Sequence, residues 1–226
     1  ALDPDGTIAS VASSKRFVGV GHNPLRQEGS HIHSAMWTPD SKNLFVADLG
    51  LDRTVHYNKP EWNFPSFKKV PLGTGPRHMA LSSDSHYLYI AGELSNQVIV
   101  YRIDKFDSCF THLQTIATLP SEFLFANTVA DIHISPDNTY LYCSNRGHDS
   151  IVTYAINSET GMLTFVSYTP TLGQEPRNFA ISPSGTWLLV ANGSTDSVVV
   201  FPIDAHTGVL GEAVCTTEVK APHCLL

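Results

Sequence analysis

The chain contains one segment that occurs four times, in which a turn of small residues is followed by two apolar runs. The turns contain Asp40, Asp84, Asp137 and Ser184, which lie 44, 53 and 47 residues apart. We expect each aspartate to accept a hydrogen bond from its own backbone two residues on. A repeat of this period is typical of propellers and solenoids, in which neighbouring units bury each other's apolar faces. The chain is therefore restricted to an architecture of similar, packed units.

Within each repeat the residues predict β-strands. β-Branched and aromatic side chains alternate in short runs such as residues 88–90 and 98–101, and this pattern is typical of strands. A further turn of the form Thr160-Gly161 or Thr207-Gly208 precedes a fourth, outer strand. Four strands in roughly 40 to 50 residues match one blade of a β-propeller. The predicted fold is all-β, a propeller of four-stranded antiparallel blades.

The two ends of the chain resemble parts of a blade. Residues 5–8 resemble the turn into an outer strand, and residues 221–226 resemble the start of an inner strand, as in residues 75–80. We therefore expect four whole blades with one strand before them and one after them. Because this inventory does not close a ring, we expect a single propeller domain over residues 1–226 that lacks N-terminal blades. The alternative is an irregular fifth blade formed by the two ends.

Composition and charge are typical of a compact β protein with no affinity for nucleic acid or membranes. Charged residues make up 15% of the chain, and its net charge of -7 provides no basic surface. No apolar run approaches the ~20 residues of a membrane span. The four cysteines lack metal-type spacing, and Cys143 and Cys224 fall in predicted strands, which predicts buried free thiols. Together these features favour a cytoplasmic protein, with secretion left open.

Polar side chains of the repeats converge on one end of the predicted propeller. In a blade, the loop before the inner strand and the loop between the second and third strands lie at the same end. Residues in both loops therefore face one mouth of the central channel. The His, Arg and Glu residues at these positions are His31, His33, Arg77, His78, Glu93, His133, Arg146, His148 and Arg177. A repeat that served only to fold would not need them, so we predict a functional site there.

Several motifs resemble the lactonase family of seven-bladed β-propellers, which includes 6-phosphogluconolactonases and fungal carboxy-cis,cis-muconate lactonizing enzymes. The motifs are residues 31–35, 47–53, 75–78, 92–95, 144–151 and 176–180. The resemblance implies an anionic small-molecule substrate, either a phosphorylated sugar lactone or a carboxymuconate, and it implies no metal or other cofactor. Family members are longer, and this chain resembles their C-terminal part.

By this resemblance, the catalytic positions are Glu93, Arg77, Arg146 and either His31 or His33. Arginine offers a planar, permanently charged fork for phosphate or carboxylate. Glu93 is the expected proton-transfer group, because a carboxylate among arginines in a partly desolvated mouth can be held ionised as a base. The expected substrate-binding residues are His78, His133, His148 and Arg177.

The charged positions also have a structural interpretation. Glu93 could form an inter-blade salt bridge with Arg77 or Arg146. Arg177 could simply donate hydrogen bonds to neighbouring backbone carbonyls. Sequence alone leaves these alternatives open.

The histidines have structural alternatives as well. His31 and His33 lie two apart on a predicted strand and would point the same way, as two metal ligands could. No third ligand lies at matching spacing, so a metal site is not predicted. His133 lies within an inner strand, where a hydrogen-bonded role in blade packing is the alternative.

Three functions fit these patterns. A lactone hydrolase of the 6-phosphogluconolactonase type is favoured, because residues 76–94 and 145–151 look closer to that branch. A carboxymuconate cyclase on the same scaffold is the second. The third is a non-enzymatic binding or surface propeller, since propellers host many unrelated functions.

Overall fold

The computed structural model describes residues 3, 5–7, 9–11, 13–59, 65–104 and 110–225. These residues form 16 strands and one short 3₁₀ helix, Leu49–Leu51, and no α-helix. The strands are β1 (Ile32–Trp37), β2 (Asn43–Asp48), β3 (Arg53–Asn58), β4 (Ser66–Lys69), β5 (Pro76–Leu81), β6 (Tyr87–Gly92), β7 (Gln97–Ile103), β8 (Phe110–Ala117), β9 (Thr128–Ile134), β10 (Tyr140–Arg146), β11 (Ser150–Ile156), β12 (Leu163–Pro170), β13 (Pro176–Ile181), β14 (Trp187–Asn192), β15 (Ser197–Pro202) and β16 (Cys215–Glu218).

The strands form four antiparallel sheets of four strands, which are the four predicted blades. Blade 1 contains β1–β4, blade 2 contains β5–β8, blade 3 contains β9–β12 and blade 4 contains β13–β16, each in chain order across the sheet. The first strands of neighbouring blades contact one another, as β1 contacts β5 and β5 contacts β9. These first strands are therefore the inner strands, and the predicted propeller architecture is confirmed.

The apolar core lies between neighbouring blades. One buried cluster joins blades 2 and 3 and includes Tyr89, Ile132 and Tyr154. A second joins blades 1 and 2, and a third joins blades 3 and 4. Burying one such large side chain contributes about 1.5–3 kcal/mol. The inner strands are thus fixed relative to one another by packing on both sides of each middle blade.

The small-residue turns form as the sequence predicts. Asp84 Oδ1 accepts hydrogen bonds from Ser82 Oγ at 2.6 Å and from the backbone N–H of His86 at 3.0 Å. Asp40 and Asp137 accept the same bond from the backbone two residues on. Each aspartate therefore closes its turn locally and is not available for the functional site.

The end segments differ from the expectation. Among the described residues, no strand precedes Ile32 and none follows Glu218. Residues 5–7 form only a turn and a bend, residues 221–225 contain no strand, and Ile8 and Leu226 lie outside the described residues. In blade 4, Leu210 forms only an isolated bridge with Ile203, so the outer strand begins later than predicted. The turn motifs in the sequence therefore did not predict the residue at which strand pairing begins.

The cysteines follow the prediction only in part. Cys143 is buried in β10 as a free thiol, as expected. Cys224 is exposed, so the prediction that it lies buried in a strand was wrong; the residues around it do not join a sheet. Cys215 is also exposed, and Cys109 lies outside the described residues. No helix in the described part of the chain has the length and apolarity to cross a membrane.

Candidate active site

A β-bulge occurs at the same place in all four inner strands. The pairing of β1 with β2 shifts between Ile32 and Ser34, and the other three inner strands shift at the equivalent position. A bulge breaks the alternation of side chains and re-aims them. Two consecutive residues of one strand can then both reach the next blade. Arg77 and His78 do so, through hydrogen bonds to Ala130 and Asp131.

The inner strands carry polar residues at two equivalent levels. The strands are aligned by their pairing with the second strands, in which Met79, Ile132 and Phe179 are equivalent. The first level contains His33, Arg77, Ala130 and Arg177. The second level, one residue further along, contains Ser34, His78, Asp131 and Asn178. The repeat therefore supplies the positions, and the side chains that occupy them differ between blades, except that arginine occurs twice at the first level.

Three arginines converge on the carboxylate of Glu93. Arg77 Nε donates to Oε2 at 2.9 Å, and Arg146 Nη2 lies 3.3 Å from the same oxygen. Arg26 approaches Oε1 with both Nε and Nη2 at 3.1 Å. The Glu93 side chain is only 6% exposed. Both carboxylate oxygens are therefore occupied by charge-assisted hydrogen bonds.

The local fold fixes these side chains. Glu93 and Arg146 occupy the same position of their blades, three residues before Asn96 and Asp149, which both adopt left-handed backbone conformations. The backbone N–H of Val129 donates to Glu93 O at 3.2 Å, which ties the turn of blade 2 to the inner strand of blade 3. Arg77 Nη1 also donates to Ala130 O at 2.5 Å. Strand pairing, and not side-chain contact alone, thus aligns the cluster.

The cluster carries excess positive charge. Burial and the nearby charges of Arg146 and Arg177 together lower the pKa of Arg77 to about 10, against the opposing effect of Glu93. Burial also lowers the pKa of Arg146. The side chain of Arg177 makes no hydrogen bond or ion pair in the part of the chain that the structure describes, and Arg146 Nε is buried without a hydrogen-bond partner there. The guanidinium group of Arg177 is therefore the one of these groups that is partly exposed and can contact an anion.

The second level contains a hydrogen-bonded network centred on Asp131. His78 Nδ1 lies 2.5 Å from Asp131 Oδ1, His133 Nε2 lies 3.0 Å from Oδ2, and Asn178 Nδ2 donates to Oδ2 at 2.6 Å. Burial raises the pKa of Asp131, but the hydrogen bonds from His133 and His78 outweigh burial and hold the pKa well below 3.8. Asp131 is therefore an ionised, buried carboxylate that joins blades 2, 3 and 4.

His33 belongs to the first level and lies next to the second level. Its ring centroid lies 5.2 Å from that of His78, in an edge-on arrangement. Burial lowers the pKa of His33 to about 4, and the charges of Arg77 and His78 lower it in the same direction. Its Nδ1 is buried without a hydrogen-bond partner among the described residues. His33 is therefore neutral at pH 7, with one nitrogen unused.

Two of the predicted residues lie apart from this cluster. His31 precedes β1, and its Nε2 lies 2.9 Å from Glu28 Oε1 on the surface. The bulge in β1 means that His31 and His33 do not share a direction, contrary to the expectation from their spacing. His148 Nδ1 lies 2.6 Å from Ser150 Oγ, and its ring packs 4.8 Å from Phe123. The structure joins neither residue to Glu93.

Sequence reasoning did not select Arg26 and Asp131. Arg26 lies in a loop outside the repeats, so no equivalent position signalled it. Asp131 had a signal, because it lies two residues before His133 on the same inner strand and is equivalent to His78 and Asn178. Only the bulge, which is not readable from the sequence pattern, brings these groups together. Among the described residues, no group of three or more His, Cys, Asp or Glu side chains could hold a metal ion.

The sequence of this chain is similar to those of known proteins. The sequence model of the family described as "Lactonase, 7-bladed beta-propeller" matches residues 1–226. A 6-phosphogluconolactonase of Bacillus subtilis is 33% identical over 181 residues, which are 79% of this chain and 51% of that protein. A 6-phosphogluconolactonase of Formosa agariphila is 37% identical over 189 residues, with 79% and 52% covered.

The fold of this chain is also similar to that of a solved structure. The periplasmic gluconolactonase of Pseudomonas aeruginosa superposes with a TM-score of 0.91 at 34% identity, covering 98% of this chain and 63% of that one. The chain spans about half the length of the curated relatives that it matches.

Proposed function

Because this chain belongs to the lactonase family of seven-bladed β-propellers, we propose that it hydrolyses an anionic sugar lactone. The observation that carries the proposal is the excess of arginine at the mouth. Arg26, Arg77 and Arg146 share one carboxylate, and Arg177 has no hydrogen-bonding or ion-pair partner among the described residues. A site with more guanidinium groups than carboxylates favours an anionic ligand.

The substrate class follows from the same geometry. Arg177 makes no side-chain hydrogen bond to the described residues and Arg146 Nε has no partner among them, so we assign these two arginines to the phosphate or carboxylate of the substrate. The relatives in Bacillus subtilis and Formosa agariphila bear the name 6-phosphogluconolactonase, which supports a phosphorylated sugar lactone over a muconate. The Pseudomonas aeruginosa structure is a gluconolactonase, so an unphosphorylated aldonolactone is the competing substrate.

The proposed reaction uses water and no metal. Water attacks the lactone carbonyl, and the oxyanion that forms is stabilised by a guanidinium group of the cluster. Glu93 stays a predicted catalytic residue, either as proton acceptor or as the carboxylate that aligns the three arginines. His33 stays a predicted site residue, since its neutral ring lies beside that of His78. A cytoplasmic location is part of the proposal.

The proposal is tested by measuring hydrolysis of freshly generated 6-phosphogluconolactone, coupled to its dehydrogenase, beside gluconolactone. We expect hydrolysis above the spontaneous rate, and Glu93→Gln is expected to lower it by roughly 10²- to 10⁴-fold. Glu159→Gln, at an exposed turn of blade 3, is the matched control and is expected to behave as the unaltered protein. If neither lactone is hydrolysed faster than in buffer, the proposed function is wrong. If Glu93→Gln keeps full activity, Glu93 has no catalytic role.

A further inference from the structure

The second level contains an imidazole, that of His78, with one ring nitrogen that makes no hydrogen bond to the described residues. Asp131 uses both oxygens, and Asn178 donates to Asp131 and accepts from the backbone N–H of Leu225 at 2.6 Å. Ser34 Oγ donates to Arg77 O. His78 uses only Nδ1, and its Nε2 makes no hydrogen bond within the described ranges.

Asp131 determines which nitrogen of His78 carries the proton. An ionised carboxylate accepts only, so the Nδ1–H of His78 donates to Oδ1 and Nε2 keeps its lone pair. The carboxylate is itself held in place, since the backbone N–H groups of Ile132 and Phe179 donate to it at 3.0 Å and 3.3 Å. A carboxylate in this position also stabilises an imidazolium that forms by proton uptake. The pair therefore has the parts of a general base and its orienting partner.

His78 and Glu93 differ in how far their side chains are exposed to solvent. The side chain of His78 is 28% exposed, whereas that of Glu93 is 6% exposed. To take a proton on either oxygen, Glu93 would have to give up its contacts with the arginines that bind that oxygen. His78 can take one without breaking any contact in the described part of the chain. His78 also follows Arg77 directly and lies beside His33, so it borders the proposed anion site.

We propose that His78, oriented by Asp131, is the general base of the reaction, and that Glu93 aligns the arginines. This inference rests on the proposed lactone hydrolysis. His78 Nε2 removes a proton from water as the water oxygen bonds to the lactone carbonyl carbon, and the carbonyl oxygen takes the negative charge. When the ring C–O bond breaks, the leaving ring oxygen takes that proton from His78. The new carboxyl group releases its own proton to solvent.

Imidazole rescue tests this assignment in the intact protein. His78→Ala is expected to lower kcat by roughly 10²- to 10⁴-fold with little change in KM, and added imidazole is expected to restore kcat in a saturable manner. His86→Ala is the matched control, because it removes another histidine that contacts a carboxylate, that of Asp84, in an exposed turn outside the candidate site. It is expected to keep most of the activity and to show no response to imidazole.

The outcomes separate this inference from the proposed function. An unaltered protein without lactonase activity would overturn both. An active protein whose His78→Ala variant keeps its kcat, or loses kcat without any imidazole response while its melting curve is unchanged, would overturn the base assignment alone. Should His78→Ala not fold, His78→Gln replaces it, with loss of kcat expected and full kcat overturning the inference.

The positioning role of Asp131 has its own readout. ¹⁵N NMR of the His78 ring is expected to show the proton on Nδ1 in the unaltered protein, and a mixture of the two neutral forms in Asp131→Asn. A proton on Nε2 in the unaltered protein would overturn the assignment, because His78 would then present a donor to water.

Discussion

At the scale of single residues, the site depends on side chains that serve two partners at once. Arg77 is 2% exposed and donates in two directions, to the Glu93 carboxylate and to the carbonyl of Ala130 in the next blade. Only a planar, forked cation can satisfy two such acceptors from one buried position. Its charge also contributes to the low pKa of His33.

Arg77→Lys is expected to weaken substrate binding more than it weakens chemistry. Lysine keeps the charge but not the fork, so it can satisfy Glu93 or Ala130 but not both. We expect KM to rise by about tenfold or more, the equivalent of about 1.4 kcal/mol, with a smaller fall in kcat. Steady-state kinetics measure both constants. Arg102→Lys, on the exposed side of β7, is the control, and equal kinetics of the two variants would show that Arg77 does not position the groups that bind the anion.

At the scale of elements, the second strands of blades 2 and 3 each bind the outer hairpin of the next blade. Tyr89 and Tyr142 donate to the carbonyls of Gly161 and Gly208 at 3.0 Å and 2.9 Å. Both glycines have positive φ, and a side chain at either would collide with a tyrosine ring. Blade 1 has Phe45 at the equivalent position and cannot make this bond. The tyrosine pattern is therefore a property of the interfaces between blades 2, 3 and 4.

Tyr142→Phe is expected to destabilise the fold by about 1–3 kcal/mol, because it leaves the buried carbonyl of Gly208 without a donor. For a chain of this size each kcal/mol lowers Tm by roughly 2–4 °C, which thermal unfolding measures. Tyr87→Phe removes a hydrogen bond of the same type at an exposed carbonyl, that of Glu159, and is expected to cost less than about 0.5 kcal/mol. Equal losses would show that burial does not decide the strength of these contacts.

At the scale of the whole molecule, the chain has a net negative charge, whereas its candidate site is rich in arginine. The chain has a net charge of -7, yet its arginines meet where the inner strands of three blades converge. The core clusters between blades keep those strands in register, so site geometry and fold stability depend on the same contacts. That one domain spans residues 1–226 stays a prediction.

Stability is expected to fall as the pH decreases from about 6.5 to about 4. Burial lowers the pKa of His33 from 6.5 to about 4, so in this window the unfolded chain binds more protons than the folded one and stability rises with pH. Burial lowers the pKa of His56 in the same sense. Asp131, whose pKa is lowered, adds stability that is lost below about 3.8.

Urea unfolding at several pH values checks this dependence. His33→Asn is expected to flatten the slope between pH 6.5 and 4 without abolishing it, since His56 remains. His112→Asn, on the exposed outer strand of blade 2, is expected to leave the slope unchanged. A slope that His33→Asn does not alter would contradict the assignment.

The sequence by itself determined the blades and the composition of the site. Period-two alternation and turn residues depend on neighbouring residues only, so four blades, the closing role of Asp84 and the convergence of Arg77, Glu93 and Arg146 were predictable. The strand boundaries near the chain ends were not, because pairing depends on a partner strand that local patterns do not identify.

Only the tertiary structure decided how the polar groups divide between two levels. The bulge shared by the inner strands turns consecutive residues toward the next blade, which separates His33 from His31 and joins His78 to Asp131. Arg26 reaches Glu93 across 67 positions of sequence. Contacts of this kind depend on register and on chain path, and neither is encoded in the residues that make the contact.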